Sequence, residues 1–193
     1  MNILEHLNKT QIKLIETKNY KKNLTIIHEG DFCSRIGIVL SGEISIVSYL
    51  ADGSEIIYNT LHSDDIFGNN LIFSSSPYYK GNVITNTDCK IAFIDKKDLL
   101  KILKDNENFF IHYLKIQSDF GKQLNQKIKL LSISSAKERL LYYFHLNNNI
   151  IELNSISSLA KQLYLQRETL SRVLSKLEKE KLIKRDNNSI ILL

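Results

Sequence analysis

The chain has 193 residues, of which 43% are hydrophobic and 24% are charged, and its formal net charge is +5. This composition excludes a disordered chain and a fibrous repeat, and the length allows one or two domains with a substantial core. No apolar run reaches the roughly 18 residues of a membrane helix, and Glu5 and His6 interrupt the start where a signal peptide would be apolar, so we expect a cytoplasmic protein without a membrane partner.

The number of cysteines argues against a disulfide-rich or metal-thiolate protein, and the charge distribution favours nucleic-acid binding. Cys33 and Cys89 are too few for a disulfide framework or a four-thiolate metal site, and we predict that both are small apolar core residues. Residues 132–193 contain ten Lys/Arg against six Asp/Glu, whereas residues 1–131 contain sixteen against fifteen. The positive charge is therefore concentrated near the C-terminus, as binding of nucleic-acid phosphates requires.

The N-terminal half changes from helical to strand periodicity. Apolar spacing predicts one or two short helices within residues 2–19, and short alternating apolar runs separated by Gly- and Asp-rich turns follow. The predicted strands are 25–28, 36–40, 44–50, 56–61, 82–85 and 89–94. Several short strands at regular spacing favour an antiparallel β-roll over an α/β fold.

Helical spacing returns at Asp95, where Asp95 and Asp98 predict a helix start of the capping-box kind. Residues 106–131 then predict a long helix of about seven turns. Its recurring apolar positions are Phe109, Tyr113, Ile116, Phe120, Leu124, Ile128 and Leu131. A narrow seam of this length is typical of a coiled-coil-like dimer contact, and packing of the seam on the roll of the same chain is the alternative.

A serine-rich break at 132–135 predicts a domain boundary. The elements predicted after it are a helix at 136–146, a short strand at 151–153, a helix at 155–163, an amphipathic helix at 166–179, and strands at 182–185 and 189–193 around the turn 186–188. This order is that of a winged helix-turn-helix. The predicted fold class is therefore α+β, with a β-roll domain (1–105), a long dimerisation helix (106–131) and a winged helix-turn-helix domain (132–193).

The helix at 167–179 is the candidate DNA-reading element. Leu170, Val173, Leu174 and Leu177 form an apolar stripe to be buried, which leaves a polar face outside. Arginine can fork onto the two acceptors of guanine, and glutamate can accept from the cytosine amine. The predicted DNA contacts are Arg167, Glu168, Ser171, Arg172, Ser175 and Lys176, with Lys161, Lys184 and Arg185 on phosphates. An ordinary amphipathic surface helix is the alternative.

Two blocks of sequence resemble the Crp/Fnr family of bacterial regulators, which includes the cyclic-AMP receptor protein and the fumarate and nitrate reduction regulator. The string Arg-Glu-Thr-Leu-Ser-Arg at 167–172, with the hairpin after it, is similar to the family's recognition helix and wing. The glycine rhythm of Gly30, Gly42, Gly53 and Gly68 is similar to its cyclic-nucleotide-binding roll. The resemblance implies a homodimeric transcription regulator that reads near-palindromic DNA with TGA-like half-sites through Arg167, Glu168 and Arg172, with RNA polymerase as a partner. It also implies control by an unidentified signal that the β-roll senses.

The effector site implied by the resemblance departs from the family pattern. Nucleotide-binding members carry a ribose-binding Glu and a phosphate-binding Arg-Ser pair where this chain has Asn69 and Tyr79-Lys80. Loss of the forked arginine argues against cyclic AMP or cyclic GMP. Too few cysteines are present for an iron–sulfur cluster. Five histidines are present, so the sequence is compatible with a haem ligand, and the cofactor is unknown. The positions implied for an effector are Gly68, Asn69, Asn70, Leu71, Tyr79, Lys80, Leu124 and Asn125.

Two residues before the reading helix also depart from the family. Gln166 stands at the N-cap where Ser is usual, and Tyr164 stands where a glycine is common. A tyrosine at positive φ costs about 1 kcal/mol, so we expect a turn of different shape.

Two alternative functions are compatible with the sequence. In one, the roll is only a scaffold and the regulator is ligand-independent. In the other, a cupin-type enzyme carries an appended helix-turn-helix, which would need clustered histidines as metal ligands. The five histidines are spread singly, and no nucleophile elbow or paired carboxylates occur, so we expect neither a catalytic nor a metal site. The histidines are His6, His28, His62, His112 and His145.

Overall fold

The computed structural model describes residues 3–186 and 188–193, and the chain forms two compact units. The first unit ends at Ser118 and the second begins at Asp119. Asn2, at the start of the predicted N-terminal helices, and Asn187, in the predicted wing turn, lie outside the described residues. No helix in the described part of the chain is long and apolar enough to cross a membrane.

The first unit contains two four-stranded antiparallel sheets, with strand orders β1-β8-β3-β6 and β2-β7-β4-β5. Its strands are β1 (Glu16–Tyr20), β2 (Thr25–Ile27), β3 (Arg35–Ser41), β4 (Ile44–Tyr49), β5 (Glu55–Leu61), β6 (Ile66–Phe67), β7 (Asn82–Thr85) and β8 (Cys89–Asp95). The predicted roll is confirmed, and so is the α+β fold class.

The centre of the roll is the pairing of β3 with β8, which runs from Arg35↔Asp95 to Ser41↔Lys90. Residues 36–39 of β3 and 91–94 of β8 are buried without interruption. Alternating burial, which the sequence predicts for half-buried strands, is therefore absent here, because both faces of these two strands are covered.

The prediction of helices throughout residues 2–19 is wrong at its end. A short 3-10 helix (Ile3–His6) and α1 (Lys9–Ile12) are present, but Glu16–Tyr20 forms strand β1. This strand pairs antiparallel with β8 and carries mostly polar, exposed side chains. Its partner lies about seventy residues further along the chain, so no local apolar pattern marks it.

Two helices follow the roll, α2 (Lys96–Asp105) and α3 (Glu107–Ser132), and Asn106 separates them. The Asn106 carboxamide oxygen accepts from the Phe109 amide at 3.0 Å, which caps the start of α3. The predicted capping box at Asp95 is wrong, since the Asp95 side chain makes no cap hydrogen bond.

The apolar positions of α3 fall on different faces of the helix. Phe109 and Tyr113 are buried in the core of the roll, and Ile116 packs against that core. In the second half of α3, Leu124 and Ile128 are exposed. The predicted single seam is therefore divided, because its first members pack on the chain's own roll. The exposed apolar residues of α3 are Phe110, Ile111, Leu114, Leu124, Ile128 and Leu131.

The second unit has the predicted order of a winged helix-turn-helix. Its elements after α3 are α4 (Ala136–Leu146), β9 (Ile150–Glu152), α5 (Ile156–Gln162), α6 (Arg167–Lys179), β10 (Ile183–Arg185) and β11 (Ser189–Leu192). The three strands form one antiparallel sheet in the order β10-β11-β9. Ser135 and Ser155 cap α4 and α5 by accepting from backbone amides three residues on. The core side chains include Leu140, Phe144, Leu159, Leu163, Leu170, Leu174, Leu177, Ile183 and Ile190.

Candidate nucleic-acid interface

Helix α6 is held by one apolar stripe, and this fixes which side chains face solvent. Leu170, Leu174 and Leu177 are fully buried in the core of the second unit. Positions between them on the helical wheel therefore point outward. The predicted contact residues on this outer face are exposed, except for Ser171, which is half-buried; they are Arg167, Glu168, Arg172, Ser175 and Lys176. Ser171, Arg172, Ser175 and Lys176 also line one shallow groove.

The residues predicted to read bases have their polar groups free. Across the described residues, no side chain forms an ion pair or hydrogen bond with the side chains of Arg167, Glu168 or Arg172. Exposed charges without an internal partner are solvated at little cost and can exchange water for a ligand. The outer face of α6 therefore offers two guanidinium groups and one carboxylate to a partner.

The residues predicted to contact phosphate differ in how strongly other side chains of the protein bind them. Lys161 is exposed at the end of α5. Lys176 lies 4.0 Å from Glu180, and Lys184 lies 3.4 Å from Asp186, both in exposed pairs that contribute little to stability. Arg185 is held more firmly, because its Nε donates to Glu178 at 2.9 Å and a second nitrogen of the same guanidinium donates to the same carboxylate. These contacts join the wing to α6.

The pairing with Arg185 also affects the ionisation of Glu178. The hydrogen bond from the guanidinium holds the pKa of the Glu178 carboxyl below its ordinary value. The Glu178 carboxyl is therefore ionised at neutral pH, and this pair occupies two of the three guanidinium nitrogens of Arg185.

The turn before α6 keeps the left-handed residue despite the absence of glycine. Tyr164 has φ of +53°. The Tyr164 amide donates to Lys161 O at 3.1 Å and the Leu165 amide donates to Ala160 O at 2.9 Å, which is the Schellman pattern of a helix C-terminus. The expectation of a differently shaped turn is therefore wrong, because these hydrogen bonds outweigh the strain. Gln166 is the N-cap of α6, and its side chain makes no cap hydrogen bond.

Three of the positions implied for an effector lie together at the end of β6 in the first unit, namely Gly68, Asn69 and Tyr79. Gly68 has φ of +78°, and a Cβ there would lie 2.8 Å from the Tyr79 hydroxyl. Tyr79 is only 5% exposed, and burial raises the pKa of its phenol above the ordinary value. The thiol of Cys33 lies 3.6 Å from this hydroxyl and 3.5 Å from Gly68 O, and burial likewise raises its pKa. Glycine is needed at 68 because a side chain is strained at this φ and would also crowd the tyrosine hydroxyl.

Asn69 is tied to the long helix. It is only 5% exposed, and its side-chain amide donates to Gln117 Oε1 at 2.9 Å. Its backbone carbonyl accepts from Gln117 Nε2 at 2.8 Å and from the Tyr113 hydroxyl at 3.3 Å. Burial raises the pKa of Tyr113 to about 12, so this phenol is a neutral donor at physiological pH. The side-chain NH2 group and the backbone carbonyl of Asn69 are therefore both hydrogen-bonded within the unit.

The remaining implied effector positions are not part of this cluster. Asn70 and Lys80 are exposed, and Leu71 packs against the core of the roll. Leu124 and Asn125 are exposed on α3 and belong to the second unit. The sequence patterns miss Gln117, although its spacing of four residues from Tyr113 places both on one face of α3.

Among residues 3–186 and 188–193, no three His, Cys, Asp or Glu side chains are grouped so that they could hold a metal ion.

Comparisons with known proteins agree with this architecture. Residues 17–106 match the cyclic nucleotide-binding domain, and residues 138–193 match the Crp-like helix-turn-helix domain. An anaerobic regulatory protein of Bacillus subtilis (strain 168) is 26% identical over 196 residues, covering 94% of this chain and 82% of the relative. The cAMP-activated global transcriptional regulator CRP of Pasteurella multocida (strain Pm70) is 20% identical, covering 89% of this chain and 87% of the relative.

A solved structure of a CooA mutant from Carboxydothermus hydrogenoformans shares the fold, with a TM-score of 0.71 and 19% identity, covering 100% of this chain and 91% of that one. The fold, the exposed face of α6 and the two matched domains together define a DNA-binding transcription regulator with a sensing domain of the cyclic-nucleotide-binding type. The chain belongs to the Crp/Fnr family.

Proposed function

We propose that the protein acts as a homodimer in which two copies of α6 read a near-palindromic operator in double-stranded DNA. The observation that carries this proposal is the outer face of α6, where Arg167, Glu168 and Arg172 are exposed and have no partner among the described residues. A two-fold dimer would place its reading helices about 34 Å apart, one turn of DNA, so each would meet the same sequence in opposite orientation.

The proposed DNA contacts divide into base readers on α6 and phosphate contacts on α5, α6 and β10. Arg167 and Arg172 would each fork onto a guanine, and Glu168 would accept from a cytosine amine. Ser171 and Ser175 would make shorter contacts between them. Lys161, Lys176 and Lys184 would bind phosphates, adding affinity without sequence preference, and Arg185 would do so with the guanidinium nitrogen that does not bind Glu178. By family resemblance, the half-sites would have a TGA-like core.

The exposed apolar residues of α3 support the dimer. Phe110, Leu114, Leu124, Ile128 and Leu131 fall on one heptad repeat, which also includes positions 117 and 121. Ile128 is 61% exposed and Leu124 is 45% exposed, and a Cβ at Gly121 would meet no atom within 4 Å. A second copy of α3 is the occupant that matches this spacing, because the same stripe would meet itself across a two-fold axis.

The three-part division into a sensing roll (1–105), a dimerisation helix (106–131) and a DNA-binding domain (132–193) belongs to this proposal. So do a cytoplasmic location and RNA polymerase as a partner, both of which follow from regulation of bacterial transcription. A cupin-type enzyme is not proposed, since the relatives are regulators of transcription.

A second version of the function is favoured by the corner at the end of β6. The position of the ribose-binding Glu holds Asn69, whose side-chain NH2 group and backbone carbonyl are bound by Gln117 and Tyr113. The position of the phosphate-binding Arg holds the buried Tyr79. In this version the roll binds no effector and the regulator is ligand-independent. In the first version the roll senses an unidentified signal. Titration with a broad set of metabolites separates the two versions. A melting shift together with a change in DNA affinity would establish an effector, and the absence of both changes across the set would support the scaffold.

The DNA-reading proposal is tested by substitutions at Arg172. Arg172→Ala is expected to cost about 1–3 kcal/mol on the operator and to relax specificity at one base pair. Arg172→Lys is the matched control, since it keeps the charge for phosphate but loses the fork, so it should relax specificity while preserving binding to unrelated DNA. Fluorescence anisotropy titrations on operator and unrelated duplexes measure both. An Arg172→Ala variant that binds the operator as tightly and as selectively as the parent would overturn the assignment.

A further inference from the structure

The guanidinium of Arg139, on α4, connects two backbone segments of the second unit. Its Nε donates to Ile133 O at 3.0 Å, and its Nη2 donates to the same oxygen at 2.6 Å. Its Nη1 donates to Leu163 O at 3.2 Å and to Tyr164 O at 3.0 Å. One half-buried side chain therefore binds three carbonyls from two separate places in the chain.

Both places are significant for the reading helix. Ile133 follows directly after α3, which ends at Ser132, and Leu163 and Tyr164 form the turn between α5 and α6. Carbonyls at the end of a helix lack intrahelical donors and carry partial negative charge. A planar, permanently charged fork suits two such groups better than a single ammonium does. Arg139 thus ties the end of the long helix to the turn that precedes α6.

A second contact acts on the same turn from α3. The Lys127 ammonium lies 5.4 Å from the centroid of the Tyr164 ring, within the range of a cation–π contact. In contrast, α6 contributes no side-chain cap of its own, because Gln166 makes no cap hydrogen bond. The start of α6 is therefore positioned by the contacts that Arg139 and Lys127 make with the turn.

We propose that Arg139 is a positioning residue for DNA reading, which sets the orientation of α6 against the end of α3. This proposal rests on the proposed function of α6. Base contacts require donors and acceptors to meet in fixed geometry, whereas phosphate contacts tolerate a shifted helix. Loss of the guanidinium therefore lowers sequence selectivity while leaving general attraction to DNA.

The test compares Arg139→Gln and Arg139→Lys in the full chain. The measured quantity is the ratio of affinity for the operator to affinity for unrelated DNA at one salt concentration. We expect Arg139→Gln to lower this ratio about tenfold, and Arg139→Lys to lower it nearly as much, since an ammonium cannot span both segments. A loss of folded protein alone would lower both affinities by one common factor and leave the ratio unchanged.

The control variant is Ile190→Val, which removes one buried methylene from the same core without touching the turn. It should reduce stability and keep the selectivity ratio of the parent. If Arg139→Gln also keeps the parent ratio, the positioning role is overturned.

Hydrogen exchange of the DNA-free protein tests the Arg139 contacts without depending on DNA binding. Arg139→Gln should speed exchange of the Tyr164 and Leu165 amides by about fivefold or more relative to the parent, because the turn loses its clamp. The Leu174 amide, inside α6, should exchange at the parent rate. Unchanged exchange at the turn would overturn the clamp itself. A parent protein that shows no preference for any DNA would instead overturn the proposed function.

Discussion

The corner at the end of β6 and the outer face of α6 both contain polar side chains. These side chains are buried and hydrogen-bonded at the corner, but they are largely exposed on α6. Asn69 is buried, and three hydrogen bonds join it to Tyr113 and Gln117 on α3. Arg167 and Arg172 are exposed, and no side chain among the described residues pairs with them. Polar groups that are satisfied internally hold a structure together, whereas unpaired exposed groups remain for a partner.

The difference indicates which region is ready to bind without rearrangement. A DNA duplex can meet the face of α6 without breaking any ion pair or hydrogen bond of Arg167, Glu168 or Arg172. A ligand at the β6 corner would have to replace the hydrogen bonds of Asn69 or displace the buried Tyr79. Such a ligand must compensate for the polar groups that it uncovers.

The largest expected effect concerns the exposed stripe of α3. Ile128→Glu places a charge where the proposed dimer buries an isoleucine, so the dimer should dissociate and operator affinity should fall by about a hundredfold or more, because two linked half-site contacts become one. Analytical ultracentrifugation and anisotropy titrations measure the two effects. Gln123→Glu, exposed on the same helix but off the heptad stripe, is the matched control and should behave as the parent. A fully dimeric Ile128→Glu protein would show that this stripe does not serve a second copy.

A smaller effect is expected at the β6 corner. Gln117→Ala leaves the buried side-chain amide of Asn69 without its acceptor, which should cost about 1–2 kcal/mol of unfolding free energy. Urea unfolding measures the loss, and Gln123→Ala on the same helix should stay within about 0.5 kcal/mol of the parent. An equally small loss for Gln117→Ala would mean that water satisfies this corner, and the contrast with α6 would disappear.

A comparison of two substitutions at Tyr164 isolates the strain in the turn. Tyr164→Gly and Tyr164→Ala both remove the ring that contacts Lys127, but only glycine adopts φ near +53° without a steric cost. We expect the glycine variant to be more stable than the alanine variant by about 1 kcal/mol. Thermal unfolding of the two proteins measures the difference, and equal stabilities would contradict the left-handed turn.

The smallest effect is expected for Lys176→Ala. This lysine lies on the outer face of α6, in a weak exposed pair with Glu180, and is proposed to contact phosphate. Its loss should weaken operator and unrelated DNA alike by a few-fold, and should reduce the magnitude of the slope of log affinity against log salt by about 1. A selective loss on the operator alone would instead assign Lys176 to base reading.

The sequence predicts the outer face of α6 better than the corner at the end of β6, and the reason is the range of the interactions involved. The periodicity of Leu170, Leu174 and Leu177 decides which residues of α6 face outward, and this information is local. The partners of Asn69 lie 44 and 48 residues further along the chain, and the partner strand of β1 is also distant. Pairings of this kind leave no periodic trace.

The division of the α3 seam illustrates the same limit. Periodicity alone groups Phe109 and Tyr113 with Leu124 and Ile128, because spacings of three and four residues are compatible with more than one face over a long helix. Packing assigns the first pair to the core of the roll and leaves the second pair exposed. The clamp by Arg139 is equally non-local, since it depends on carbonyls 24 and 25 residues away.

Selection of binding sites from a pool of random DNA duplexes tests the central claim most directly. The full chain should enrich a near-palindrome whose two half-sites have centres about one helical turn apart, and one dimer should bind each site. Enrichment of no sequence, or of a single half-site bound by one chain, would contradict a dimer that reads DNA through its two α6 helices.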